Sequence, residues 1–415
     1  MGGRVVIAYR GMHSVGLPLP DEALATFFAA WSPAPKHVER VPLELAGGRV
    51  LAHDVRAAAD VPECPRSAMD GFAVRAADLI SARADEPVCL QHDGEARAGF
   101  RSTLTARTAV RVATGAPLPL GADAVVRVED AELDANSVRF SRAVDFGTDV
   151  VAAGEDISAG APVACAGAPI SAALLGVLAT LGEQHVDVYR RPSVALISTG
   201  DEVVPIGTLP RAGEVRNSNA VALAQVLRDL GAGTITTTHV RDELGALHRA
   251  LTEALKTHDA VVLTGGTSVG VRDFTTAALG TLPPPGVIVH GVRMTPGRPT
   301  VLALSGARPI LGLPGSPTAA MLALTVLGGP IFAALCGRNT PAAGILGIAA
   351  EAFTGKPGWV TYVPVRIGSD GGVRPVRHHR SSFVSSLAAA DGYVRLEPDR
   401  AAVSAGDRLE VHRLA

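Results

Sequence analysis

The chain has 415 residues, 47% hydrophobic and 19% charged, the balance of a globular chain long enough for about three domains. Lys plus Arg is 38 and Asp plus Glu is 40, a formal net charge of −2, so no overall field draws a polyanion. Aromatic residues at 4% are too few for a platform of stacked nucleic-acid bases. The four cysteines, at 64, 89, 165 and 336, form no C-x-x-C pair. Free thiols in a reduced, cytoplasmic protein are expected. The opening MGGRVVIAYRGMHSVG has neither a long apolar stretch nor a cleavage site, which predicts no signal peptide.

In chain order, helical segments are expected within 15–57 and 150–190. They flank a stretch, 58–149, of short β-rich pieces (Ala109–Val112, Ala124–Val128, Ser137–Phe140) separated by Gly, Pro and Asp turns. The reading is one linking domain interrupted by an inserted β domain. Residues 191–338 alternate strand and helix. Ser193–Ser198 is a β-rich run, and Asn217, Ser218 and Asn219 supply cap chemistry for a helix through Leu230, stopped by Gly231. Thr234–Val240 reads as strand, and Leu244, Leu247, Leu251 and Leu255 mark a helix over Glu243–Thr257. Ala260–Thr264 is a further strand that runs into two glycines. This alternation predicts a parallel sheet with helices on both faces and a ligand at the carboxyl ends of its strands. Residues 339–415 form a last β domain, with strands at Val360–Ile367, Val373–Val376, Gly392–Leu396 and Arg408–Val411. The fold class is multi-domain α/β plus β. Two charge-free runs, Ile157–Gly182 and Pro309–Gly337, are broken by Pro and Gly and read as buried core helices of about 11–13 residues rather than membrane spans.

Five motifs could carry chemistry. Pro65–Ala73 sets Ser67, Asp70 and Gly71 within five residues, enough to hold an oxyanion or a metal–phosphate group, or simply a turn whose Asp caps its own backbone. Ser198-Thr199-Gly200-Asp201-Glu202 puts two carboxylates at a strand's end, a set suited to Mg²⁺ or to a capped helix start. Thr264-Gly265-Gly266-Thr267-Ser268-Val269-Gly270, followed by Asp273, offers a phosphate cradle of backbone N–H groups without matching a Walker A or a G-x-G-x-x-G pattern. Thr295-Pro296-Gly297-Arg298-Pro299 is a stiff turn that would fix the planar fork of Arg298. Gly312-Leu313-Pro314-Gly315-Ser316-Pro317-Thr318 is a rigid strand-to-helix turn. The stretch around His378-His379, with Arg374, Arg377 and Arg380, reads as solvated surface.

Taken together and in this order, the five motifs resemble the molybdopterin molybdenumtransferase family (the MoeA and gephyrin E-domain family). Further similar stretches are Ala113-Thr114-Gly115-Ala116-Pro117, Gly121–Val125, Gly154-Glu155-Asp156-Ile157 and Ser385-Ser386-Leu387-Ala388. The resemblance implies an elongated four-domain homodimer: 15–57 with 150–190, 58–149, 191–338 and 339–415. It implies transfer of molybdate to adenylylated molybdopterin with release of AMP in the presence of Mg²⁺, and contact with a molybdopterin adenylyltransferase, with no nucleic-acid or membrane partner. Under it, Asp70, Ser67, Asp273 and Arg298 are catalytic, and Asp201, Glu202 and Asp273 hold metal. Thr199, Gly200, Asp201, Asn217, Gly265, Gly266, Ser268, Gly270, Pro296, Gly297, Pro314, Gly315, Ser316 and Ser381 bind the pterin substrate. The Asp70 loop would face the α/β domain of the other subunit.

The chain departs from the family pattern at Asn217, where an Asp is usual, and at Thr295, where a Lys is usual. Gly265-Gly266-Thr267 stands for Gly-Gly-Val, and Ser316 for an Asn. The alternative these departures raise is a paralogue that binds a pterin or nucleotide as a scaffold without efficient turnover.

Overall fold

The computed structural model describes residues 16–33, 36–96, 102–265, 274–339, 344–376 and 382–414. At its centre is a six-stranded sheet built from 191–338. Its elements, in chain order, are β1 (Val194–Thr199), α1 (Ser218–Asp229), β2 (Ile235–Val240), α2 (Leu244–Thr257), β3 (Ala260–Thr264), α3 (Phe274–Leu279), β4 (Pro285–His290), β5 (Val301–Ser305), β6 (Arg308–Leu313) and α4 (Pro317–Ala323). The strand order is β2-β1-β3-β6-β5-β4. Residues of β1 and β3 are buried on both faces, as a sheet covered on two sides requires. Leu196 and Val262 face one core with Leu223 and Leu227 of α1; Ala195, Ile197 and Leu263 face the other with Leu247, Leu251 and Leu255 of α2. The four-residue leucine spacing therefore does what the periodicity predicts.

The strands of the alternating stretch pair in parallel as expected, and the sheet turns antiparallel at one edge. β2, β1, β3 and β6 are parallel, but β5 pairs antiparallel with β6, and β4 antiparallel with β5. The cause is local: Gly306 takes φ +58 and closes a hairpin where a crossover helix would be needed for a parallel neighbour. The expected break at Pro330 is also absent. Pro317–Cys336 is one helical run with a π-turn over Leu324–Gly328. The ring of Pro330 would meet the carbonyl of Val326 in a regular helix, and the wider turn around that residue gives it room. Among the described residues this is the one helical run long and apolar enough to cross a membrane. Leu322, Leu324, Leu327, Ile331 and Phe332 on it are fully buried in the largest core, so it is packed as a core helix.

Three smaller β units surround this sheet. Val38–Pro42 pairs antiparallel with His185–Tyr189 over a core of Leu43, Leu51, Leu178 and Val188. Residues 71–140 carry a six-stranded sheet with its own core of Phe72, Leu90, Val126, Val138 and Phe140. The C-terminal strands close on themselves, since Gly392–Leu396 pairs both with Arg408–His412 and with Val360–Ile367. The short strand Met294–Thr295, from the α/β segment, joins that C-terminal sheet in parallel with Val360–Thr361.

Where the first unit meets the central sheet, Arg190 pairs with Asp259 at 3.0 Å, and both the amide and the hydroxyl of Ser193 donate to the same carboxylate. Burial works to raise the Asp259 pKa, but the Arg190 pair and the Ser193 bonds outweigh it and hold the carboxyl below its ordinary range. A depressed carboxyl contributes stability above its unfolded pKa of about 3.9 and loses it as pH falls through the lower folded value. Asp259→Asn is therefore expected to cost about 1–2 kcal/mol in urea denaturation at pH 7, discounted for partial exposure, with the difference from wild type shrinking below about pH 4. An equal cost at both pH values would contradict the assignment.

Candidate active site

The parallel register brings three loops to one edge. Ser198 is level with Thr264, and Thr264 with Leu313, so the segments after β1, β3 and β6 emerge side by side. β2 lies on one side of β1 and β3 on the other, so the chain order reverses here, the usual place for a ligand in an open α/β sheet. A cleft of about 380 Å³ opens at this point. Thr199, Glu202, Asn217, Asn219, Gly265 and Gly315 line it.

Glycine is required at two of these positions. Gly265 takes φ +95, and a Cβ there would stand 2.6 Å from the carbonyl oxygen of Thr199 and 2.8 Å from its hydroxyl. Gly200 takes φ +137, and a Cβ there would stand 2.8 Å from Glu202 Oε2. His239 Nε2 donates to the Gly200 carbonyl at 2.9 Å and fixes that turn. The Gly265 amide donates to the Leu313 carbonyl at 3.3 Å.

Two asparagines tie the loops together. Asn217 caps α1, its Oδ1 accepting from the Ala220 amide at 3.1 Å, and its Nδ2 donates to Ser198 Oγ at 2.8 Å. Asn219 Nδ2 donates to Thr264 Oγ1 at 3.0 Å and to the Gly315 carbonyl at 2.8 Å. Thr264 Oγ1 in turn donates to the Pro314 carbonyl at 3.2 Å. Among the described residues, Thr199 Oγ1 and Asn219 Oδ1 are buried without a hydrogen-bond partner, on two residues that line the cleft.

Asp201 and Glu202 project at the end of β1, with Asp201 Oδ1 accepting from the Asp242 amide at 3.3 Å. One or two carboxylates beside a hydroxyl fit Mg²⁺, which takes most of its remaining ligands from water and phosphate oxygens. Among the described residues no group of three or more His, Cys, Asp or Glu gathers as a metal cage.

The 295–299 turn reaches the same edge by register, because Val301 of β5 is level with Gly312 of β6. Gly297 takes φ +120, Arg298 is half-buried, and its carbonyl accepts from the Val292 amide at 2.9 Å. Pro314 and Ser316 flank Gly315 on the turn into α4.

Asp70 and Ser67 form a separate corner at the edge of the 71–140 sheet. The amide and hydroxyl of Thr114 both donate to Asp70 Oδ1, at 2.7 and 3.0 Å. These two bonds hold the exposed Asp70 carboxyl below its ordinary pKa. Ser67 is buried, and its hydroxyl donates to the Met69 carbonyl at 2.5 Å, shaping the turn. Behind it, Asp149 sits at φ +50, accepts from the Ala68 amide at 2.9 Å and pairs with Arg127 at 2.8 Å. Among the described residues, no hydrogen bond joins this corner to the cleft within the chain. Gly266, Ser268, Gly270, Asp273 and Ser381 lie outside the described residues, as do His378 and His379, while Arg374 pairs with Asp370.

The cleft also takes residues beyond those the family resemblance assigns to substrate. Asn219 belongs to the cap of α1 and Thr264 is the first hydroxyl of the expected phosphate cradle, and the two are hydrogen-bonded to each other. Ser382 and Val384 arrive from the C-terminal unit, anchored where Thr318 Oγ1 donates to the Phe383 carbonyl at 2.8 Å. Nothing in their local sequence marks them.

Family models match the chain almost end to end. The MoeA N-terminal region (domain I and II) matches residues 19–182, a probable molybdopterin binding domain 195–334, and the MoeA C-terminal region (domain IV) 347–414. Molybdopterin molybdenumtransferase 2 of Mycobacterium tuberculosis is 32% identical over 392 residues, 89% of this chain and 94% of that protein. The molybdopterin molybdenumtransferase of Bacillus subtilis is 32% identical over 388 residues, 90% and 89% of the two chains. A crystal structure of the molybdopterin biosynthesis MoeA protein from Pyrococcus horikoshii superposes with a TM-score of 0.76 at 29% identity, covering 96% of this chain and 99% of that one. A structure of a molybdopterin biosynthesis MoeA protein from Pyrococcus horikoshii OT3 superposes in fold with a TM-score of 0.84 at 24% identity, over 95% and 100% of the two chains. With the cleft at the carboxyl edge of its central sheet and relatives of this likeness along nearly its whole length, the chain belongs to the molybdopterin molybdenumtransferase family.

Proposed function

We propose that this chain is a transferase of molybdenum cofactor biosynthesis that inserts molybdenum from molybdate into adenylylated molybdopterin and releases AMP. One observation carries the reading: the cleft where Gly265 lies bare against Thr199, in a chain whose relatives bear the name molybdopterin molybdenumtransferase over about nine-tenths of its length.

Cleavage of a phosphoanhydride asks for positioning and charge neutralisation rather than a side-chain nucleophile. Thr199, Gly200, Gly265, Gly315 and Ser316 receive the substrate's polar atoms, with Thr199 Oγ1 and Asn219 Oδ1 as waiting acceptors. Asp201 and Glu202 would hold Mg²⁺, which when bound offsets phosphate charge. Asn217 orders the start of α1. Pro296 and Gly297 aim Arg298 at an oxyanion. Asp70, kept ionised by Thr114 on the turn that Ser67 shapes, orients molybdate in the cleft of a partner subunit. The reading carries with it a cytoplasmic homodimer with the domain division 15–57 with 150–190, 58–149, 191–338 and 339–415, and a supply of substrate from a molybdopterin adenylyltransferase.

Two outcomes are expected. Gly265→Ala drives a Cβ into Thr199 and should abolish pterin binding, measured by fluorescence titration; undiminished binding counts against the cleft. Asp70→Asn should leave that binding intact and slow molybdate-dependent AMP release by about 10²-fold or more, a loss of the size seen when one preorganised charge-stabilising group is removed. Mixed with Gly265→Ala, it should regain about a quarter of wild-type turnover, since half of random dimers are mixed and each rebuilds one of two shared sites. No recovery in the mixture would show that the Asp70 turn does not serve the partner's cleft.

A further inference from the structure

The opposite edge of the central sheet carries a feature that the proposed reaction does not use. β1 is six residues long, so this edge lies roughly 20 Å from the cleft. Here residues 48–50, 189–191, 231 and 336–338 meet around a crevice whose enclosed space is about 10 Å³, room for one water-sized atom. The guanidinium-bearing residues Arg49, Arg191 and Arg338 border it. Two glycines keep it open. A Cβ at Gly231 would stand 2.8 Å from Cys336 Sγ and 3.8 Å from Arg338 Nη2, and one at Gly48 would stand 3.7 Å from Arg191 Nη2. Lys36 adds a further cation, its Nζ 5.5 Å from the ring centroid of Tyr189, which also lines the crevice.

Charge does not balance here. The Arg49 side chain is only 11% exposed; it pairs with Glu39 and donates to the Tyr189 carbonyl at 2.9 Å. Arg190, next to Arg191, is matched by Asp259. Among the described residues the side chains of Arg191 and Arg338 have neither a carboxylate nor a hydrogen-bond acceptor. The Nε–H groups of Arg49 and Arg338 are covered from solvent and, among the described residues, unpaired. All three charges reach the buried thiol between them: burial pushes Cys336 up to about 11, while Arg338, Arg191 and Arg49 pull it down. Like charges around one small space repel unless an anion stands among them, and the guanidinium fork matches the oxygens of a tetrahedral oxyanion.

From this geometry we infer that the crevice between Arg49, Arg191 and Arg338 binds a tetrahedral oxyanion of the phosphate or sulfate type, one oxygen over Gly231 and the others at its mouth. Bound there, the anion ties residues 48–50 and 189–191 of the first unit to residues 231 and 336–338 of the α/β unit. The group is either a free ion or the phosphate of a nucleotide; the tetrahedral dianion is common to both.

The test reads the rate at which a thiol reagent labels Cys336 in the full-length protein, resolved from the other cysteines by peptide mass mapping. Cys336 is buried, so labelling requires local opening of this junction. Sulfate added at constant ionic strength should slow it, about tenfold at ten times the Kd. Slowing by sulfate assigns the site to a free ion, and slowing by AMP without any by sulfate assigns it to a nucleotide phosphate. In Arg191→Gln/Arg338→Gln the slowing should vanish, and in the single variant Arg338→Gln it should weaken. No slowing in wild type by either probe, or equal slowing in the double variant, overturns the proposal. Crystals soaked in selenate provide a readout independent of the variants: an anomalous peak within hydrogen-bond reach of Arg191 and Arg338 is expected, and peaks confined to the cleft would overturn it.

Discussion

The register Ser198–Thr264–Leu313 across three parallel strands is the constraint on which the rest of the site depends. It delivers three loops to one edge at one level, and backbone contact does the remaining work. Gly265 approaches Thr199 so closely that no side chain fits, and its amide donates to Leu313. The two asparagines then close the figure, Asn217 from the helix cap to β1, and Asn219 from the same helix to β3 and the β6 turn. None of these bonds has to be broken for a ligand to enter. Among the described residues, Thr199 Oγ1 and Asn219 Oδ1, on two residues that line the cleft, are buried without a hydrogen-bond partner.

The C-terminal unit belongs to this arrangement rather than hanging from it. Met294–Thr295 crosses into the C-terminal sheet beside Val360 and Thr361, just before the chain turns through Gly297 and Arg298 to enter β5. The same unit returns Ser382 and Val384 to the cleft wall, held at Phe383 by Thr318 of α4. Its far side is bound to the N-terminal helix Pro20–Ala30 by Asp21 and Arg395, a bidentate pair at 3.0 and 2.5 Å. The turn that carries Arg298 is therefore tied to two sheets at once.

How much of this was legible depended on whether the cause was local. The α2 leucines, the Gly231 stop and the strands at 260–264, 360–367 and 392–396 follow from periodicity and turn chemistry within a few residues. The Gly-rich strand ends were visible because a phosphate cradle needs those residue types in that order. The β5–β6 hairpin was not, since its apolar residues alone do not distinguish an antiparallel edge from another crossover. Nor was the continuity of the helix through Pro330, where the rule that proline breaks helices yields to packing of Ile331 and Phe332 in the core. Ser382 and Val384 were unreadable for a different reason: their role is set by a sheet that brings them back across more than a hundred residues.

Two of the departures from the family pattern, Asn217 and Thr295, have local structural partners. Asn217 is not a vacant metal position, for both ends of its amide are engaged, one capping α1 and the other donating to Ser198. An aspartate could accept from Ala220 but could not donate to Ser198, so the neutral residue and the Ser198 hydroxyl suit each other locally. A carboxylate stands on the same cleft at Glu202. Thr295 is a half-buried strand residue paired with Thr361, and its contribution is to the crossing that aims Arg298. The Arg298 guanidinium remains as the cation on that turn. The substitutions thus leave intact the close approach of Gly265 to Thr199 that any ligand in this cleft depends on, and neither removes a bond that holds the three loops together.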